Sequence, residues 1–387
     1  VRKIAIIGIG QTPVREHWNL GIRELAAEAI FKALDDAGIK EVDALFVGNM
    51  LSGALSNQEH LGSLVAEYAG LEGIEAIKVE AACASGAAAF RQAVLAVASG
   101  NIDYALAVGV EKLTDLSGYF TTNGLATAAD ADYEAAMGLS FVALNALLMK
   151  RYMFEYKFSK QDFAEFIINA HRNAIHNPNA MYRKTISTEQ YLNSKMVVDP
   201  INLLDASPIA DGAAAAIVCT YEESKSVKSK PIIVSACEIG TDTIAIYNRK
   251  NPLILKGVER STQKAIRTAG IKHSDLDFLE LHDAFSIMTA LSLEASGFAD
   301  YGMGLRIPDN GKIKINGSLP LSTFGGLKAR GHPVGATGIY QINEAVLQLR
   351  HEAPEAIQIE DARYAFTQNI GGSGATVVTT ILERDHK

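Results

Sequence analysis

Apolar positions along the chain fall into two rhythms. Residues 3–9 form a short continuous apolar run suited to a buried strand, and residues 22–37 repeat apolar positions at helical spacing up to Gly38, a usual helix-ending residue. Residues 42–47 read as the next strand. After a further helix, residues 77–79 lead through Ala81-Ala82-Cys83-Ala84-Ser85-Gly86 into a helix of small residues that reaches about Ser99. Residues 104–110 return to a strand. Strands alternating with helices imply βαβ units, so the pattern predicts an α/β protein with a largely parallel sheet.

The same order recurs in the second half. Ala37-Gly38-Ile39-Lys40 followed by Val42-Asp43-Ala44-Leu45-Phe46-Val47 is echoed by Ala269-Gly270-Ile271-Lys272 followed by Leu276-Asp277-Phe278-Leu279-Glu280-Leu281. The opening strand has a counterpart in residues 231–236. Cys83-x-x-Gly86-Ala87 and His332-x-x-Gly335-Ala336 each open a helix rich in small residues. Echoes in the same order predict a duplicated unit, residues 1–228 and 229–387, with Cys83 and His332 at corresponding helix starts. Residues 116–198 break the rhythm and read as an insertion in the first half.

Composition narrows the class. The chain has 387 residues, too many for one ordinary core, and its 48% hydrophobic content excludes a disordered chain. With 36 Lys and Arg against 44 Asp and Glu, the net charge of −8 argues against nucleic acid as a partner. No continuous apolar run approaches the ~18 residues of a membrane span. The first strand begins at once, which leaves no room for a signal peptide. Three cysteines (83, 219 and 237) cannot form a disulfide framework. The expectation is a cytoplasmic protein without a metal or redox cofactor, since no His, Cys, Asp or Glu cluster has ligand spacing. Within the insertion, residues 150–196 carry eight Lys and Arg against four Asp and Glu, a local +4. That stretch is either a solvated face or a patch for a phosphate-bearing ligand.

Candidate chemistry centres on Cys83. At a helix start, exposed N–H groups and the positive dipole end favour the thiolate, and small neighbours leave room for a bulky thioester. A histidine at the matching start, His332, supplies a base for that nucleophile if the two starts face one another. His332 lies in the glycine-rich block 325–338, where neither a Walker pattern nor a strand-linked GxGxxG is present. His282 ends the strand 278–281, a usual place for catalytic groups. After the strand 364–367 comes Asn369-Ile370-Gly371-Gly372-Ser373-Gly374. This is either a plain glycine turn or one in which the Gly371 N–H joins that of Cys83 in an oxyanion hole. Cys219 and Cys237 sit in apolar strands and read as inert core residues.

Cys83-Ala84-Ser85-Gly86, Asp211-Gly212-Ala213-Ala214-Ala215, His282-Asp283-Ala284-Phe285 and the 325–338 block together resemble the thiolases over nearly the whole chain. His-Asp, with Met137-Gly138-Leu139-Ser140, is most like the sterol-carrier-protein type and the archaeal acetyl-CoA acetyltransferases. The resemblance implies a duplicated five-layer α-β-α-β-α fold with an inserted loop domain that holds coenzyme A. It implies the reversible condensation of two acetyl-CoA to acetoacetyl-CoA, feeding the mevalonate pathway of isoprenoid synthesis, with coenzyme A thioesters as substrates and no other cofactor. Alternatives are a longer-chain 3-ketoacyl-CoA thiolase working degradatively, a decarboxylating ketosynthase, and a non-catalytic acyl-CoA-binding scaffold subunit. By the same resemblance Cys83 carries the acyl group and His332 takes its proton. His282 helps hold the enolate oxygen, and Cys83 and Gly371 give the second oxyanion hole. Ser235, Arg183 and Lys184 are expected to contact coenzyme A. A homodimer or homotetramer is implied, and a complex with 3-hydroxy-3-methylglutaryl-CoA synthase through a small zinc-containing acyl-CoA-binding protein is a further expectation.

One departure stands out. The second cysteine that moves the α-proton in most thiolases is replaced by Asn369, or by Ala284 in the alternative position. Condensation needs a base near that carbon, so His282 or His332 is expected to do this work, with Asn369 in a supporting role.

Overall fold

In the computed structural model, which describes residues 2–385, the first half supplies strands β1 (Ile4–Gln11), β2 (Ala44–Gly48), β3 (Glu75–Val79) and β4 (Ala105–Glu111). A small hairpin, β5 (Met196–Val198) and β6 (Ile201–Asn202), precedes β7 (Gly212–Thr220). The second half supplies β8 (Ile232–Thr241), β9 (Phe278–Glu280), β10 (Tyr364–Gly371) and β11 (Thr376–Arg384). The ends of the two expected units, Val1 and residues 386–387, lie outside the described residues.

Nine strands join in the order β3-β2-β4-β7-β1-β8-β11-β10-β9. Outward from the β1–β8 junction the halves correspond: β1 with β8, β7 with β11, β4 with β10 and β2 with β9. The sheet is mixed, which corrects the expectation of a largely parallel one. β3-β2-β4 and β9-β10 are parallel, whereas β7 and β11 run antiparallel to their neighbours. The reason is connectivity. β11 follows β10 through a tight hairpin, and β7 returns from the insertion instead of from a crossover helix.

The duplication extends to individual hydrogen bonds. Asp43 Oδ2 accepts from the N–H groups of Asp103 (3.1 Å) and Tyr104 (2.8 Å), just before β4. Asp277 Oδ2 accepts from Arg363 (2.7 Å) and Tyr364 (2.8 Å), where β10 starts. Each aspartate thus ties its own strand to the start of the neighbouring parallel one.

Helices α1 (Ile22–Ala37), α2 (Ser85–Ser99), α3 (Phe141–Tyr156), α4 (Ala164–Ala174), α5 (Lys256–Ala269), α6 (Ser286–Ala295) and α7 (Thr337–Arg350) complete the layers. α1 and α5 cover the outer faces, and each ends at a left-handed glycine, Gly38 (φ 71°) or Gly270 (φ 69°). α2 and α7 lie side by side between the two halves of the sheet, in a core that joins Phe90 and Val97 to Ile339, Val346 and Leu382. This is the five-layer α-β-α-β-α arrangement. The 18-residue stretch Ala82–Ser99 has a mean hydropathy of 1.2, enough to span a bilayer by length and composition, which a search for one unbroken apolar run passes over. Here it forms the central helix and the turn that precedes it.

The small residues at the starts of α2 and α7 serve packing. A Cβ on Gly86 would stand 2.6 Å from the Gly335 carbonyl oxygen, and one on Gly338 would stand 2.5 Å from the Ala87 nitrogen. These glycines let the two helix starts approach backbone to backbone. A Gly338→Ala variant should lose about 1–3 kcal/mol of stability by overpacking, read as a lower denaturant midpoint at unchanged m. Unchanged stability would show that the two helix starts can move apart freely.

Residues 142–204 belong to the first half in sequence but pack on the second. The Tyr152 hydroxyl donates to Glu294 of α6 (2.5 Å). The side-chain amides of Asn169, Asn173 and Asn177 donate to the carbonyl oxygens of Leu321 (2.9 Å), Ser322 (3.0 Å) and Phe324 (2.9 Å). Asparagines four residues apart therefore hold the segment that leads into the glycine-rich block.

Candidate active site

Beyond β3 the chain makes a tight elbow. Ala82 adopts the left-handed region (φ 51°), a strain of about 1–2 kcal/mol for a residue with a Cβ. Ser85 compensates locally: its Oγ accepts from the Ala81 N–H (2.9 Å) and donates to the Ala82 carbonyl (2.6 Å). The elbow places Cys83 two residues ahead of α2, with its side chain against an apolar cluster of Leu51, Leu55, Leu113 and Val334.

That position works against the thiolate that a helix start favours. Burial pushes the Cys83 thiol up to about 12, the Gly372 and Cys83 N–H groups oppose the shift, and the Glu111 and Glu80 carboxylates add to it. Glu111 is fully buried at the end of β4, where burial raises its own pKa to about 7 against three backbone donors. It accepts from Asn49 Nδ2 (2.8 Å) and from the N–H groups of Met50 (2.9 Å), Leu51 (3.1 Å) and Gly335 (3.0 Å). One carboxylate thereby clamps the loop after β2 to the loop that carries His332.

The two histidines carry opposite proton arrangements. The Thr337 hydroxyl donates to the Pro333 carbonyl (3.1 Å), so its oxygen accepts from His332 Nδ1–H (2.7 Å) and the His332 Nε2 lone pair is left open. Asn369 Nδ2–H donates to His282 Nδ1 (3.0 Å), which puts that ring's proton on Nε2. The rings meet edge to face with centroids 5.0 Å apart. The Cys83 sulfur and one nitrogen from each ring all lie within 4.8 Å of one another. Burial, then the Arg330 guanidinium, lowers His282 to about 3. Burial, His282 and Arg330 hold His332 well below the usual histidine value. Near neutral pH the site is a thiol facing two neutral imidazoles.

The Cys83 thiol must therefore lose its proton as it reacts, and alkylation of Cys83 should report this. Its rate with iodoacetamide is expected to rise tenfold per pH unit from pH 7 to 10 without a plateau. A plateau below pH 8.5 would reveal a standing thiolate–imidazolium pair instead.

Behind the histidines lies a buried charged layer. Arg330 Nη1 donates to Glu344 (2.5 Å), with both side chains fully buried. Asp283 accepts from the Leu327 N–H (2.6 Å), and Lys328 donates to the Asp205 carbonyl (2.7 Å). These bonds fix the single π-helical turn Gly326–Arg330 that delivers His332.

The other expected residues divide. Asn369 reaches the site. Gly371 touches the elbow, since a Cβ there would stand 2.4 Å from the Ala81 carbonyl oxygen, but the turn's N–H acting on the sulfur is that of Gly372. Ser235 stands apart from the catalytic cluster. Its hydroxyl donates to Glu383 (2.9 Å), which pairs with Tyr364 at the start of β10, whereas Asn369 and Gly371 lie toward its far end. At ~3.3 Å per residue that is roughly 16–23 Å away. The basic insertion is partly neutralised: Lys150, Arg151, Lys160 and Arg172 pair with Asp199, Glu155, Asp205 and Glu165. Arg183 and Lys184 stand outside those pairs, just after Met181 and Tyr182, whose N–H groups bond to the Arg330 and Ala329 carbonyls (both 2.9 Å). Cys219 and Cys237 are buried in β7 and β8. Sequence reasoning missed Glu111, Thr337 and Gly372 as site residues. A glutamate closing an apolar strand was the available signal for the first.

Residues 4–222 match the thiolase N-terminal domain, and residues 239–384 match the thiolase C-terminal domain-like family. The acetyl-CoA acetyltransferase of Methanothermobacter thermautotrophicus is 42% identical over 386 residues, covering 99% of this chain and all of that protein. Human sterol carrier protein 2 is 30% identical, covering 98% of this chain and 72% of its own length. Among solved structures, the Ltp2-ChsH2(DUF35) aldolase has a TM-score of 0.87 at 24% identity, covering 100% of this chain and 98% of that one. Human mitochondrial 3-ketoacyl-CoA thiolase has a TM-score of 0.76 at 16% identity and 99% coverage of both chains, a likeness of fold. Both halves of the duplicated unit match, and near-complete relatives share the sequence between them, so the chain belongs to the thiolase family.

Proposed function

We propose that this chain is a cytoplasmic acetyl-CoA C-acetyltransferase, condensing two acetyl-CoA reversibly to acetoacetyl-CoA and free coenzyme A through an acetyl group on Cys83. The observation that carries the reading is the convergence of Cys83 with two histidines of opposite proton arrangement. In the first half-reaction His332 Nε2 takes the thiol proton as sulfur attacks the thioester, then returns it to the departing coenzyme A thiolate. His332 is neutral again when the second acetyl-CoA enters. It then takes the α-proton while His282 Nε2–H holds the enolate oxygen. The enolate attacks the acetyl-cysteine, whose carbonyl oxygen is held by the Cys83 N–H and the Gly371-Gly372 turn. As the Cys83 thiolate leaves, it recovers its proton from His332. One base serves both half-reactions, so no second cysteine is required.

In this reading Asn369 sets the His282 proton. An Asn369→Asp substitution should draw that proton to Nδ1 and turn Nε2 from donor to acceptor, lowering kcat about 10²–10³-fold with the fold intact. Retained kcat would remove His282 from enolate stabilisation.

Leu51, Leu55, Leu113 and Val334, with Met50 and Leu125, pack beside Cys83, and an apolar wall so close to the sulfur supports a short acyl group such as acetyl. The test is thiolysis of acetoacetyl-CoA against a longer 3-ketoacyl-CoA. The reading expects the higher kcat/KM with acetoacetyl-CoA, and a reversed preference would assign the chain to degradation of longer acyl chains. Condensation runs uphill, so we also propose that a 3-hydroxy-3-methylglutaryl-CoA synthase consumes the product, supplying isoprenoid synthesis.

A further inference from the structure

The geometry points to a second ligand for the reactive centre: a borderline-soft divalent cation, zinc above all, held by Cys83 Sγ, His282 Nε2 and His332 Nε2. Residues 83, 282 and 332 have no ligand spacing in sequence, yet their donor atoms lie within 4.8 Å of one another. With Zn–S near 2.3 Å and Zn–N near 2.0–2.1 Å, tetrahedral ligands stand roughly 3.3–3.6 Å apart, so side-chain rotations closing about 1.3 Å complete the set. Three protein ligands leave a fourth position open for water.

The surrounding hydrogen bonds suit metal binding. His332 Nδ1–H already donates to Thr337 Oγ1, the outer partner that orients a metal-bound imidazole through Nε2. His282 must move its proton from Nε2 to Nδ1, and the means is present. Asn369 Oδ1 is buried without a hydrogen-bond partner, so rotating the amide about its terminal bond lets that oxygen accept from Nδ1–H. Glu111, close behind the sulfur, supplies negative charge, whereas Arg330 behind the histidines opposes it. The Cys83 proton leaves to solvent as the Zn–S bond forms, so a chain holding zinc has no free nucleophile. Zinc and acyl transfer thus exclude one another at this site.

Zinc titrated into the full-length protein against a chromophoric chelator should bind at one ion per chain. Alkylation of Cys83 in the wild type should abolish that binding, and Cys83→Ala and His332→Ala should each weaken it at least about 100-fold. Cobalt in place of zinc should give a thiolate-to-metal charge-transfer band that vanishes on alkylation. Substoichiometric binding, or binding indifferent to alkylation, would overturn the inference and place the zinc on exposed histidines such as His60 or His176. The titration needs no acyl-CoA, so its outcome is separate from that of the proposed reaction.

Discussion

Cys83→Ser should lower thiolysis of acetoacetyl-CoA by at least about 10⁴-fold while leaving the melting temperature within a few degrees of wild type. Serine fits the elbow, because the hydroxyl is smaller than the thiol and the Ala82 and Ser85 contacts do not involve the sulfur. What it removes is the atom able to carry an acyl group and leave again as an anion. The thiol at Cys83 is already hard to ionise, being half-buried against apolar side chains and close to Glu111, and a hydroxyl in the same place is harder still. His332 then has no proton it can remove at useful rate. Activity within tenfold of wild type would mean that the acyl group passes directly between two thioesters and that Cys83 is a packing residue.

His332→Asn should have the next largest effect, about 10³–10⁴-fold on kcat, and should act on both half-reactions. Asparagine keeps a polar group beside Thr337 but offers no basic nitrogen toward Cys83. Exchange of acetyl-CoA methyl protons with solvent isolates the second half-reaction, because it requires only deprotonation and its reversal. The account expects exchange to disappear with His332→Asn. With His282→Ala it should fall about 10²-fold, through loss of one enolate donor, and not vanish. Undiminished exchange in His332→Asn would transfer the base role to His282, and the hydrogen bonds of Thr337 and Asn369 would then have the opposite meaning.

Acid adds a structural constraint on these assays. Both histidines are held neutral in the fold, with pKa values below the ordinary histidine range. An unfolded chain takes up those two protons near pH 6.5, so folding stability falls as pH drops below that value toward about 3. Kinetic comparisons therefore belong above pH 6.5.

The duplication was legible because it is written twice. The Gly38 and Gly270 helix ends and the Asp43 and Asp277 strand ties recur with their flanking apolar runs, and backbone needs of that kind leave fixed residues at fixed offsets. Matching helix starts then foretold that Cys83 and His332 would meet. Strand direction was not legible, since an apolar run in β7 or β11 reads the same whichever way its neighbour points. The place of Ser235 was not legible for a related reason: a serine in a strand does not say which end of the sheet it occupies. The pull on the Cys83 proton was the least legible. A helix start after an apolar strand favours the thiolate, whereas burial opposes it, and so does Glu111, which lies 28 positions away and acts only once β4 is folded beside the elbow.

The most direct test of the central claim is intact-protein mass spectrometry after rapid mixing of the wild type with acetoacetyl-CoA. A gain of one acetyl group is expected, located on the peptide containing Cys83, with one acetyl-CoA released. Adding free coenzyme A should then remove it as a second acetyl-CoA. Turnover with no acetyl group on Cys83, or an acetyl group that coenzyme A does not discharge, would contradict it.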